Sequence, residues 1–201
     1  TLGADECFFA AAGSGAFVGT DSGVLRALEP ASVIVLTASA KTPGTHVGTL
    51  SIVTIAEDVP DALELTATGT ALAHANATFD EFSDVTTTSL TIPVDPDQGV
   101  VAFGVTIFNR GFDDLQALLD CDAIDGMEAP VELLSPLETG VGVDPAVVQL
   151  GVDTQGLIGG EVLNMMITIH VSDEDLPGEA IGELTLDLEI RVSGEASCSG
   201  D

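Results

Sequence analysis

Three short acidic stretches hold the residue types from which chemistry could be built. Ser172-Asp173-Glu174-Asp175-Leu176-Pro177-Gly178 sets three consecutive carboxylates before a proline and a glycine. Asp120-Cys121-Asp122-Ala123-Ile124-Asp125-Gly126 alternates carboxylates before a glycine, and Asp95-Pro96-Asp97-Gln98-Gly99 is a shorter version. Hard oxygen ligands at short spacing before a glycine are what a calcium loop uses, so Asp120, Asp122 and Asp125 are candidate calcium ligands. The stretch has no glutamate at the twelfth position of an EF-hand loop, and a plain polar turn fits it as well. Calcium is the one cofactor the sequence suggests. General acid–base work needs two carboxylates fixed across a cleft, one with a raised pKa. These acids fall in expected hairpin turns, where water screens them. No catalytic residue is assigned, and the chain is not expected to be an enzyme.

The other reactive side chains are scattered. His46, His74 and His170 have no partner at metal-ligand spacing. No glycine-rich loop follows a strand and opens a helix, so a phosphate site has no support. Cys7, Cys121 and Cys198 form no Cys-x-x-Cys pair, and their odd number leaves at least one thiol free or paired with another chain. All three are candidates for a disulfide. Asn76-Ala77-Thr78 fits the N-glycosylation sequon.

The chain that must position these groups has 201 residues, 45 % of them hydrophobic, so a packed core is within reach. It carries 33 acidic residues against four basic ones, a formal charge of −29. That surface repels phosphate backbones, which argues against nucleic-acid binding, and it suits solubility, cations or a salty habitat. No run reaches the ~18 apolar residues that span a bilayer, so no membrane insertion is expected. The chain starts at Thr1 without methionine or a basic, apolar leader, and is read as a processed protein or a fragment. Scarce lysine, no Trp or Tyr, and abundant Thr, Val, Gly and Ala resemble exported β-rich structural proteins.

Period-two and β-branched runs dominate. Strands are expected at 33–36, 49–55, 63–68, 89–94, 100–108, 147–152, 164–171 and 183–192, with Gly, Pro and Asp between them. Asp113–Leu119 reads as a short helix or equally as a strand. An internal repeat organises the strands. Glu57-Asp58-Val59-Pro60-Asp61 matches Glu174-Asp175-Leu176-Pro177-Gly178 at an offset of 117. Leu63–Gly69 matches Leu188–Gly194 at 125, Glu29–Val33 matches Asp144–Val148 at 115, and Glu6-Cys7 matches Asp120-Cys121 at 114. The drift from 117 to 125 implies a hairpin loop eight residues longer in the second copy. Cys7 and Cys121 then occupy equivalent positions, either as an inter-domain or inter-subunit disulfide or as two buried thiols.

The fold class is therefore all-β, tandem Ig-like β-sandwiches, the first incomplete within this chain. Residues 1–74 are the C-terminal part of a first repeat, 75–194 a complete second repeat, and 195–201 a tail or linker. The sequon falls between the repeats. By analogy with the second copy the first lacks about 40 residues carrying its early strands, since an Ig-like domain runs to about 100 residues. A sandwich without them exposes core and a sheet edge, which a neighbouring subunit could fill by strand complementation.

Gly44-Thr45-His46-Val47-Gly48-Thr49-Leu50-Ser51-Ile52, followed by Glu57-Asp58-Val59-Pro60 and Leu65-Thr66-Ala67-Thr68-Gly69-Thr70, resembles the choice-of-anchor D repeats, related to ASH-like Ig-fold repeats, of exported bacterial surface proteins of planctomycete type. Val105-Thr106-Ile107-Phe108-Asn109 and Ser172–Gly178 look like the corresponding strand and turn of the second copy. Arg191-Val192-Ser193-Gly194 departs from the usual Thr-Gly ending. The resemblance implies tandem seven-stranded sandwiches in exported or surface-anchored proteins, with no catalytic residues. The expected role is a structural subunit of an extracellular filament or cell-surface assembly that self-associates into a polymer. An adhesin or binding module, or an auxiliary domain of a larger secreted protein, is the alternative; lack of Trp and Tyr argues against sugar stacking.

Overall fold

A computed structural model of the chain describes residues 6–18, 20–26, 35, 37–38, 40–56, 59–176 and 178–194. The chain divides into two compact units, Thr1–Ala73 and His74–Asp201. Every regular element among the described residues is a strand.

In the first unit the strands are β1 (Glu6–Gly13), β2 (Phe17–Val18), β3 (Thr20–Arg26), β4 (Thr37–Ala38), β5 (Gly44–Ala56) and β6 (Val59–Ala71). One sheet has the order β3-β1-β5-β6, and β2 pairs with β4. Antiparallel pairing sets Ala11 beside Ile52 and Ile52 beside Leu63, and likewise Leu50 beside Leu65. Directly opposed residues point to the same side of a sheet. One face of this sheet is thus aliphatic, and the other carries Thr49 with Thr66 and Ser51 with Glu64.

The second unit holds β7 (Ala77–Thr78), β8 (Thr87–Val94), β9 (Val100–Asn109), β10 (Leu119–Asp125), β11 (Val131–Leu133), β12 (Ala146–Asp153), β13 (Val162–Asp173) and β14 (Ile181–Val192). Two four-stranded sheets have the orders β10-β13-β14-β8 and β11-β12-β9-β7. With β9 to β14 taken as strands B to G, these read C-F-G and D-E-B, and the first strand is shared between the sheets as β7 and β8. This is the Ig-like arrangement. β8 runs parallel to β14, so the split first strand closes the G edge. The alternation of β14 explains its place: Leu184, Leu186, Leu188, Ile190 and Val192 are buried, while Glu183, Asp187 and Arg191 are exposed. They meet Val105, Ile107, Val148, Leu150 and Val152 of the facing sheet in one aliphatic core.

The strands expected from 49 to 192 are all present. The one at 33–36 lies outside the described residues except for Val35, as does the tail 195–201. Asp113–Leu118 is neither helix nor strand, and β10 begins at Leu119. The pairing also corrects the repeat. In both units a C-F-G-like order recurs, β1-β5-β6 and β10-β13-β14. Laying β5 on β13 at 117 places Leu50 on Ile167; their partners are Leu65 and Leu186, so β6 then lies on β14 at 121, four short of the strand match at 125. The connection between β13 and β14, residues 174–180, is five residues longer than the one between β5 and β6, residues 57–58, and not eight. Similarly Phe9 faces Thr54 and Cys121 faces Val171, so Phe9, not Cys7, stands where Cys121 stands. A strand of period two matches itself at any even slip, and sequence alone cannot separate the registers.

Candidate functional site

Asp173, the last residue of β13, is buried. Its Oδ1 accepts the Ala75 backbone N–H at 2.7 Å, and its Oδ2 accepts the Ala180 N–H at 3.0 Å and meets His74 Nδ1 at 2.6 Å. Burial pushes this carboxyl up, but the hydrogen bonds from His74, Ala75 and Ala180 outweigh it and hold it below the ordinary aspartate value of 3.8. Glu174 exchanges two bonds with Leu118: its N–H donates to the Leu118 carbonyl at 2.8 Å, and its Oε1 accepts the Leu118 N–H at 3.3 Å. Asp175 is exposed. The three consecutive carboxylates therefore diverge. One ties the start of the unit to the β13–β14 connection, one latches the entry to β10, and one meets water.

The acidic-proline segments of the two copies differ. Pro60 falls within β6, opposite Ile55, which an edge strand tolerates, while Leu176-Pro177 lies between β13 and β14. Glu57, Asp58 and Pro177 are outside the described residues.

The three candidate calcium ligands lie on a strand and not in a loop. Asp120, Asp122 and Asp125 belong to strand β10, paired to β13 with a bulge between Cys121 and Ala123. The extra residue lets Cys121 and Ile124 turn to the core, three apart and not two. That shift is what gave the stretch its loop-like look. Asp120 Oδ1 accepts the Gly140 N–H at 2.6 Å, Asp125 Oδ2 meets His170 Nε2 at 2.9 Å, and Asp122 is exposed at the bulge. Gly126 then ends the strand with φ of 79°, and a Cβ there would come within 2.2 Å of the Met166 carbonyl oxygen. Among the described residues no three His, Cys, Asp or Glu side chains are placed to hold an ion. Asp95–Gly99 is a turn braced by Thr154, whose hydroxyl donates to the Gly99 carbonyl and accepts the Gly99 N–H, both at 2.9 Å.

Cys121 is buried and unpaired. Burial pushes its thiol up to about 11, helped by the negative charges of Asp122, Glu138 and Asp120. The folded unit thus keeps this thiol from solvent. Cys198 and the side chain of Cys7 lie outside the described residues. The sequon belongs to the second unit. Thr78 is fully buried and its hydroxyl donates to the Ser83 carbonyl at 2.8 Å, so the folded chain hides half of the motif. His46 Nε2 lies 2.9 Å from the Thr42 carbonyl oxygen.

Two features escape a reading by motif. Asn109, buried at the end of β9, donates to the carbonyls of Ala117 and Val141 at 2.9 and 3.1 Å. Its Oδ1 accepts the Asn76 N–H at 3.0 Å and Gln116 Nε2 at 2.7 Å, so one amide knits four segments together. The second feature is the aliphatic face of β5 and β6. Leu63 and Leu65 are 53 % and 46 % exposed, whereas Leu184 and Leu186, which stand in the same places, are 1 % and 0 % exposed. Isolated exposed leucines are ordinary; two side by side on a strand face whose twin is core are not.

No family model and no curated protein matches the chain. Among solved structures it is similar to the Vibrio cholerae VesB protease, at 15 % identity and a TM-score of 0.36 over 52 % of this chain and 30 % of that one. It is also similar to a protein of unknown function from Porphyromonas gingivalis W83, at 11 % identity and TM-score 0.38 over 92 % of this chain and 84 % of that one. Cadherin-like domains 1 to 4 of zebrafish RET match at 12 % identity and TM-score 0.33, over 92 % of this chain and 42 % of theirs. The chain thus spans less than a third of the protease and less than half of the RET segment. Likenesses of this size carry no activity across.

Proposed function

We propose that the chain is a structural subunit of an extracellular filament or cell-surface assembly built from Ig-like units, akin to choice-of-anchor D and ASH-like repeats. It works by self-association and not by catalysis. The observation that carries this reading is the half-exposed pair Leu63 and Leu65 where the second unit has core. A face of this kind supports an assembly role, and β6 beside it, 13 residues long, is the last strand of its sheet among the described residues. The fates of the acidic residues support it: Asp173, Glu174, Asp120 and Asp125 are engaged in holding strands together. Among the described residues no helix is long and apolar enough to cross a membrane. Electron microscopy of the native material tests the proposal. Regular polymers are expected; dispersed monomers would reject it.

A further inference from the structure

A strand at the margin of a sheet leaves a row of backbone N–H and C=O groups open to another chain, and folds defend such edges with charge, proline, bulges or shortness. Among the described strands every edge but one is defended. β10 has Asp120, Asp122, Asp125 and a bulge. β6, whose face is open, has Pro60, Asp61 and Glu64 along its length. β3 has Asp21 and Arg26. β11 is three residues long with Glu132, and β2, β4 and β7 have two residues each. The exception is β8, the margin of the sheet β10-β13-β14-β8. Its eight residues, Thr87-Thr88-Ser89-Leu90-Thr91-Ile92-Pro93-Val94, carry no charge and pair with β14 without a break in register.

The open backbone groups of β8 can be placed. The carbonyls of Thr86 and Val94 accept the N–H groups of Thr185 and Ser193, both at 2.8 Å. The N–H and C=O of one strand residue point the same way, and successive residues alternate, so the even-numbered residues of β8 turn to β14. Thr87, Ser89, Thr91 and Pro93 then face the free side. Pro93 has no N–H to lose there, which is why the ladder tolerates it. The side chains of these four are exposed, and Leu90 and Ile92 on the other face are only partly buried against the core.

The occupant that fits is a second copy of the same strand. Repulsion between two chains of charge −29 is least where neither presents a carboxylate. Hydroxyl side chains opposed across an antiparallel pair attract each other. Direction follows from charge. Parallel pairing would set Asp84, just before the strand, against its own copy. Antiparallel pairing sets that end against the Pro93 end, where Arg191 stands on the adjacent strand with its side chain 64 % exposed.

We infer that β8 pairs with β8 of a second copy, antiparallel about a two-fold axis at Ser89. Ser89 stands opposite Ser89 of the second copy, and Thr87 opposite its Thr91. Every outward N–H and C=O from Thr87 to Thr91 is then matched, and Pro93 falls beyond the pairing. On the other face Leu90 gains Thr88 of the second copy as a neighbour. This rests on the reading of the chain as a self-associating subunit and gives the second unit a joint of its own. A two-fold joint alone closes a pair; with the open face of the first unit as another contact, the association continues.

The test follows backbone hydrogen exchange from low micromolar to near-millimolar concentration, in the unaltered chain and in the chain carrying Leu63→Ser with Leu65→Ser. In both, exchange at the N–H groups of Thr87, Ser89 and Thr91 slows at least about tenfold as concentration rises. The N–H groups of Thr88, Leu90 and Ile92, already held by β14, do not change. Thr91→Pro puts a second proline on the outer row, and Ser89→Asp sets two carboxylates face to face at the axis. Each keeps the melting of the second unit and abolishes the slowing. Equal exchange at Thr87, Ser89 and Thr91 at every concentration in the unaltered chain overturns the inference, whatever the variants do. So does slowing that survives both substitutions. Polymers without slowing at these three groups reject this joint and leave the assembly standing. Slowing in a chain that grows no further than a pair upholds the joint and rejects the polymer.

Discussion

Asp173 accepts three hydrogen bonds from segments far apart in sequence, and its charge is what those bonds favour. Its folded pKa is lowered, so its contribution is full above 3.8 and is lost as pH falls below that value. Asp173→Asn is expected to destabilise the second unit by about 1–3 kcal/mol at neutral pH, with the deficit shrinking in acid, as urea titrations at a series of pH values would show. Asn109→Ala strips partners from two buried carbonyls and one N–H, and a loss of about 2 kcal/mol or more is expected in the same assay. Cys121, with a thiol pushed up to about 11 and no exposed surface to speak of, is expected to react with a thiol reagent at neutral pH only after denaturant is added. None of these roles is legible in the sequence, because each depends on which distant backbone groups the fold brings to the side chain.

Strands were the legible level. β14 alternates so cleanly that its buried face can be written from its letters, and the recurrence of the β5–β6 hairpin as β13–β14 follows from the repeat. What period two cannot carry is register: slips of two or four residues keep every side chain on its own face. β10 hid for another reason, since its bulge breaks the alternation and leaves a spacing that looks like a cation loop. Millimolar calcium is accordingly expected to leave the melting temperature of the chain unmoved; a clear rise would restore Asp120, Asp122 and Asp125 as ligands. The two hairpins also make a paired prediction. Leu186→Ala should cost about 3 kcal/mol in the second unit, and Leu65→Ala, at the same place in the first, under about 1 kcal/mol, by denaturation of each variant.

At the scale of the whole chain two properties oppose each other. A charge of −29 repels copies of the chain, while under the proposed function the half-exposed leucines of the first unit draw them together. Screening weakens the first and leaves the second, so association should strengthen with salt. The most direct measurement is sedimentation velocity of the purified chain from low micromolar to near-millimolar concentration at physiological ionic strength. The account predicts species that grow with concentration and that Leu63→Ser with Leu65→Ser returns to a single small one. One slow species of monomer mass at every concentration, identical in the variant, would contradict it.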